Sequence, residues 1–152
     1  MPAATDDLAA DAAEAIASHY AADLAIRDTL PADPTSSTEA SYVDQRARSY
    51  RAAVDVVTAA VRAGVPHWRI ADLAGCGGLT VIDMIDDRAA RTAAYVSERH
   101  RARRHLDAVE RAIRDHARRV IGAQDGRGKA QLTRELGISR PTLDAWLEVD
   151  EG

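Results

Sequence analysis

Gly128-Lys129-Ala130-Gln131-Leu132-Thr133-Arg134-Glu135-Leu136-Gly137-Ile138-Ser139-Arg140-Pro141-Thr142-Leu143-Asp144-Ala145-Trp146-Leu147 decides how this chain is read. An apolar-periodic segment runs up to Gly137, the residue type best suited to a left-handed helix C-cap. Ser139 is placed to cap a following helix by accepting from a backbone N–H that has no partner of its own. Pro141 falls in the first turn of that helix, where a missing N–H costs little. Leu132, Leu136, Ile138, Leu143, Trp146 and Leu147 supply an apolar wedge. The stretch predicts two short helices meeting at a tight turn.

In the type, order and spacing of cap, turn and core residues, these positions resemble the helix-turn-helix of bacterial transcription regulators and of resolvase/invertase C-terminal domains. The resemblance runs through the Gly-Ile-Ser-Arg-Pro-Thr-Leu core to the closing Trp-Leu. It implies that the second helix enters the major groove of DNA. Ser139 and Arg140 then stand at the entry of the recognition helix, with Arg140 suited to a bidentate guanine contact or to a phosphate. Thr142 would approach a thymine methyl or a phosphate, or serve an internal helix contact. Lys129 and Gln131 would fix the backbone, and Arg127 and Arg134 are the further polar candidates. Asp144 and Ala145 stand where the family often carries larger polar or basic readers. Asp144 could accept from a cytosine amino group, but its charge, and the acidic tail of Glu148, Asp150 and Glu151, lower the affinity expected of this unit alone.

Working back along the chain, Gly75 can be set against Gly137. Ile70 then falls on Leu132, Leu73 on Glu135, Ala74 on Leu136, Cys76 on Ile138, Thr80 on Thr142, Val81 on Leu143, Met84 on Trp146 and Ile85 on Leu147, at a constant offset of 62. We read an internal repeat of two helix-plus-corner modules. In the first copy Gly77 and Gly78 replace Ser-Arg, and Asp83, Asp86 and Asp87 bring carboxylates that repel phosphates. Packing or dimerisation is its favoured role. The opposing reading gives it a second DNA contact through His67, Trp68, Arg69, Gly77, Gly78 and Thr80, the glycines admitting a phosphate close to the backbone. Cys76 matches a core Ile and is read as a buried small hydrophobe.

Three helices are expected around these corners. Residues 6–28 carry Leu8, Ala12, Ile16, Tyr20 and Leu24 on one stripe, capped by Thr5. The Pro- and Ser-rich stretch 29–37 follows as a linker, so this first helix reads as a mobile arm or partner-binding segment. A second helix, about 38–63, bears a seam of Val43, Ala47, Tyr50, Val54, Val57 and Val61, which serves internal packing or a homodimer equally well. A long helix, about 89–123, carries Arg99, Arg101, Arg103 and Arg104 in a run without acids, suited to phosphates. The chain divides into an acidic helix and linker (1–37), a first module (38–88), a basic connecting helix (89–123) and a C-terminal module (124–152).

The composition agrees with an all-α fold, and the resemblance together with the repeat implies two trihelical helix-turn-helix modules joined by a long Arg-rich helix, with an acidic N-terminal helix. Phe is absent, aromatics are 4%, and much of the 46% hydrophobic fraction is Ala. Charge is unevenly spread. Residues 1–45 hold nine acids against one base, net −8, and residues 88–134 hold thirteen bases against five acids, net +8. The basic half can meet a polyanion despite an overall −4. One cysteine excludes an intrachain disulfide and a four-Cys zinc site. The acidic start is unlike a secretory signal, and no apolar run is long enough for a membrane, so the cytoplasm is the expected location. No acid/base, nucleophile or phosphate-loop constellation emerges, and no cofactor or small-molecule substrate is evident. The expectation is a non-enzymatic, sequence-specific binder of double-stranded DNA, a small repressor-like regulator of bacterial or phage type. The alternative is a non-catalytic protein-interaction module that uses its corners and acidic arm.

Overall fold

The computed structural model describes residues 2–30, 36–122 and 128–148, and their regular structure is entirely helical. The helices are α1 (Pro2–Thr29), α2 (Ser36–Arg62), α3 (His67–Ala74), α4 (Gly78–Asp83), α5 (Arg88–Gly122), α6 (Gly128–Leu136) and α7 (Arg140–Glu148). The fold is all-α. Contacts gather into two compact units, residues 1–99 and 100–152, so α5 begins in the first and ends in the second.

In the first unit α1 is not a detached arm. Ala9, Ala12 and Ile16 share a core with Ala53, Val54, Val57 and Ala60 of α2. The buried line continues through His19 and Asp23, giving steps of three and four, the spacing of a helix–helix seam. Tyr20 and Leu24, the expected continuation, are 44% and 60% exposed. Polar residues win those turns because each finds a partner on α2. His19 Nδ1 lies 2.8 Å from Ser49 Oγ. Tyr42 donates its hydroxyl to Asp23 at 3.2 Å, and Arg46 Nε lies 3.0 Å from the same carboxylate oxygen. Partners descend α2 as positions ascend α1, so the two helices run antiparallel. Thr5 lies inside α1 rather than capping it, since the helix starts at Pro2. Of the expected linker, residues 31–35 lie outside the described residues.

The α2 seam is divided in use. Val54 and Val57 are spent on the internal core, whereas Val43 is 62% exposed. Only the first half of the seam remains for a second copy. Val65, Ile70, Ala71, Val81, Ile82, Met84 and Ile85 complete the core beneath the α3–α4 corner. Asp86 and Asp87 lie beyond α4 rather than on it. Asp87 caps α5 by accepting from Ala90 N at 2.8 Å and takes Arg62 through two nitrogens at 2.9 and 2.7 Å. The Ala90 N–H first, then Arg62, hold its carboxyl below the usual range.

The second unit closes a smaller core of Ala117, Leu132 and Leu143, flanked by Val120, Ile121, Leu136, Ile138 and Leu147. Arg114 lies over the Trp146 ring at 5.4 Å, and Arg118 donates to the Trp146 carbonyl at 3.2 Å. Along α5, Glu110 and Arg114, one turn apart, form a side-chain pair at 3.5 Å. Arg111 and Arg119 instead turn to the backbone carbonyls of Asp107 and Asp115.

Candidate nucleic-acid interface

The α6–α7 corner is built by three residues. Gly137 adopts φ 65°, a left-handed conformation that costs glycine nothing and any L side chain something. Ile138 N then reaches back to Thr133 O at 3.1 Å and closes the end of α6. Ser139 Oγ accepts from Thr142 N at 3.2 Å, a cap of the first turn of α7. Arg140 is the first residue of that turn and is exposed.

The side chains expected to face DNA are mostly engaged with one another. Lys129 Nζ lies 2.8 Å from Asp144 Oδ1, and Arg140 Nε lies 3.9 Å from the other oxygen. The Lys129 hydrogen bond, then the charges of Lys129 and Arg140, hold the Asp144 carboxyl below its ordinary range. Asp144 therefore serves as a counter-charge to two candidate phosphate contacts. Ser139 Oγ also lies 2.7 Å from Thr142 Oγ1, so both hydroxyls serve the cap. Gln131 donates to Glu135 at 2.7 Å, and Arg134 Nε to Ala130 O at 3.1 Å. Arg127 lies outside the described residues.

The α3–α4 corner repeats the backbone device at the same offset. Gly75 has φ 64°, and Cys76 N reaches Ala71 O at 3.0 Å. Ile70 and Val81 are as buried as Leu132 and Leu143. The side chains differ in ways that turn the corner inward. His67 is buried, with Nε2 2.8 Å from Glu98 Oε2, so it is no phosphate contact. The same Glu98 carboxylate lies 3.1 Å from where a Cβ on Gly78 would stand. The room that the glycine leaves is taken by the chain's own anion. Arg69 is paired with Asp6 of α1 at 2.7 Å. Thr80 N bonds to Gly77 O at 3.0 Å, and Trp68 is 37% exposed. Tyr95 donates to Asp83 at 2.9 Å.

Arg99, Arg101, Arg103 and Arg104 are all exposed along α5. Cys76 is half-buried against the core, and burial pushes its thiol up, away from nucleophilic use. Among the described residues no group of three His, Cys, Asp or Glu could hold a metal ion, and no helix is long and apolar enough to cross a membrane. No protein-family model, curated protein or solved structure matches the chain. The pairings of Glu98 and Asp6 escaped the sequence reading. Their partners stand 31 and 63 positions away, so only the folded chain brings them together.

Proposed function

We propose that the chain is a small DNA-binding regulator whose two corners are helix-turn-helix units. The second reads the major groove, and the first is retained for architecture and association. One observation carries the reading: Arg140 stands exposed on the first turn of a Ser139-capped helix that follows a left-handed glycine. The exposed arginines of α5 supply sequence-independent phosphate contacts. Asp144 sets a threshold for Lys129, which phosphate must draw out of a 2.8 Å pair, while Arg140 is held only at 3.9 Å.

Fluorescence anisotropy against a labelled pool of genomic fragments tests this. Binding should weaken with salt, and Arg140→Ala should lower affinity by roughly one to three kcal/mol at the preferred site. Joint replacement of Arg99, Arg103 and Arg104 by Ala should weaken binding to all sequences alike and flatten the salt dependence. Salt-insensitive binding, or none, rejects the reading.

A protein-interaction role has its own support at the first corner. Leu73 and Leu79 are 56% and 58% exposed there, while Arg69 is neutralised within the chain. Purification of the tagged protein with a stoichiometric protein partner and no enrichment of DNA would favour it.

A further inference from the structure

The α1–α2 pair leaves an open groove of about 450 Å³ in the first unit. That lies within the roughly 300–1,000 Å³ of small-molecule sites. The chain has only four tyrosines, and Tyr20, Tyr42 and Tyr50 all line this groove. Val43, Ala47 and Met84 complete its apolar wall. Rings are scarce in this protein, so their gathering at one exposed place is not a by-product of composition.

The groove also has a polar end. His19 lines it, with its ring centroid 5.3 Å from that of Tyr20 and 5.4 Å from that of Tyr50. The Ser49 hydroxyl has one proton, and it is donated to Arg46 O at 3.0 Å. With the Ser49 proton on Arg46 O, the tautomer that fits the 2.8 Å contact is the one in which His19 Nδ1 donates to Ser49. Burial lowers the His19 pKa, opposed by Asp23 and reinforced by Arg46, and favours the neutral ring. Its Nε2 is left as a bare acceptor. Nε2 makes no hydrogen bond among the described residues. Nor is it sealed off, since Arg114 Nε is the sole buried, partnerless side-chain nitrogen or oxygen found among them. His19, a residue only 6% exposed that lines the groove, thus keeps an unused acceptor.

We propose that this groove binds a small planar aromatic molecule bearing a hydrogen-bond donor, with its ring against the tyrosines and its donor on His19 Nε2. Arg46 on the same wall shares the one Asp23 carboxylate with Arg27, and the excess positive charge favours an acidic substituent. The site stands without the DNA reading, because every residue in it belongs to the first unit.

The test uses the full chain and two probes, 4-hydroxybenzoate and benzoate, followed by saturation-transfer NMR and calorimetry. 4-Hydroxybenzoate should bind roughly two- to tenfold tighter than benzoate, the value of one satisfied hydrogen bond. Ala47→Trp fills the groove from an exposed helix position and should abolish binding of both probes with an unchanged thermal melt. His19→Phe should remove the discrimination between probes. Equal binding of the two probes, no binding of either, or binding indifferent to Ala47→Trp overturns the proposal. Self-association lost in Ala47→Trp, with no probe binding, would assign the groove to a second copy instead.

Discussion

Asp144 shows how much one side chain can alter a reading. Its place on the second helix of a corner suggested a base contact, yet it holds Lys129 and Arg140. Sequence could not show this. Lys129 and Asp144 are fifteen positions apart on different helices, and the corner angle decides whether they meet. If the corner binds DNA, Asp144→Ala should raise affinity and steepen the logarithmic salt slope by roughly one to two, read by anisotropy between low and moderate salt. An unchanged slope would mean that Lys129 and Arg140 never reach phosphates. Gly137, by contrast, was fully legible, because a left-handed turn between two apolar runs demands that residue type. A Cβ there would meet nothing within 4 Å, so Gly137→Ala acts through backbone strain alone. Urea unfolding should show a loss of about 1–2 kcal/mol.

At the scale of elements, helix positions were legible and helix faces less so. Tyr20 and Leu24 looked like the buried stripe of α1, but His19 and Asp23 take that side. Neighbouring residues differ by about 100° around a helix, so hydropathy alone does not say which of two adjacent lines turns inward. Ser49, Tyr42 and Arg46 waiting on α2 decide it. The pH dependence follows. The His19 pKa is lowered in the folded chain from the ordinary 6.5, so the unfolded chain takes up its proton first. That contribution to stability is complete above 6.5 and is lost as the pH falls toward the lower folded value. Thermal melts should show wild type losing more stability than His19→Gln between pH 7.5 and pH 5.5, about a unit either side of the free histidine value. Ile16, 1% exposed at the centre of the seam, gives the apolar counterpart. Ile16→Ala should cost about 2–5 kcal/mol by chemical denaturation.

For the whole molecule, the acidic beginning and basic middle read from the sequence acquire separate meanings. Asp6 and Asp23 of the acidic half are tied to Arg69, Arg27 and Arg46, so part of that charge is structural rather than repellent. Each unit has its own core, and the second is small enough that Leu143 is central to it. Leu143→Ala should speed amide exchange across α6 and α7 and leave the α1–α2 seam protected, as hydrogen-exchange mass spectrometry would show. Equal loss of protection in both units would mean that they unfold together. The offset of 62 was visible in the string of residues because corner geometry needs glycine and apolar residues at fixed places. The inward turn of the first corner was not, since it depends on Glu98 reaching His67 and the vicinity of Gly78.

The α1–α2 seam carries a last implication about alignment. Ala9, Ala12, Ala53 and Ala60 are nearly interchangeable teeth, and a zip made of them could close one notch out of place at little cost. His19 and Asp23 are cut to a single key. A slip by one heptad would take Asp23 away from Tyr42 and Arg46 and His19 away from Ser49. Arg27, on the same helix, would stay with Asp23, but loss of the cross-helix partners of a buried charge costs up to about 3–5 kcal/mol. The polar end tells the alanine end where to stop, and with it fixes which rings of α1 and α2 come to share a groove.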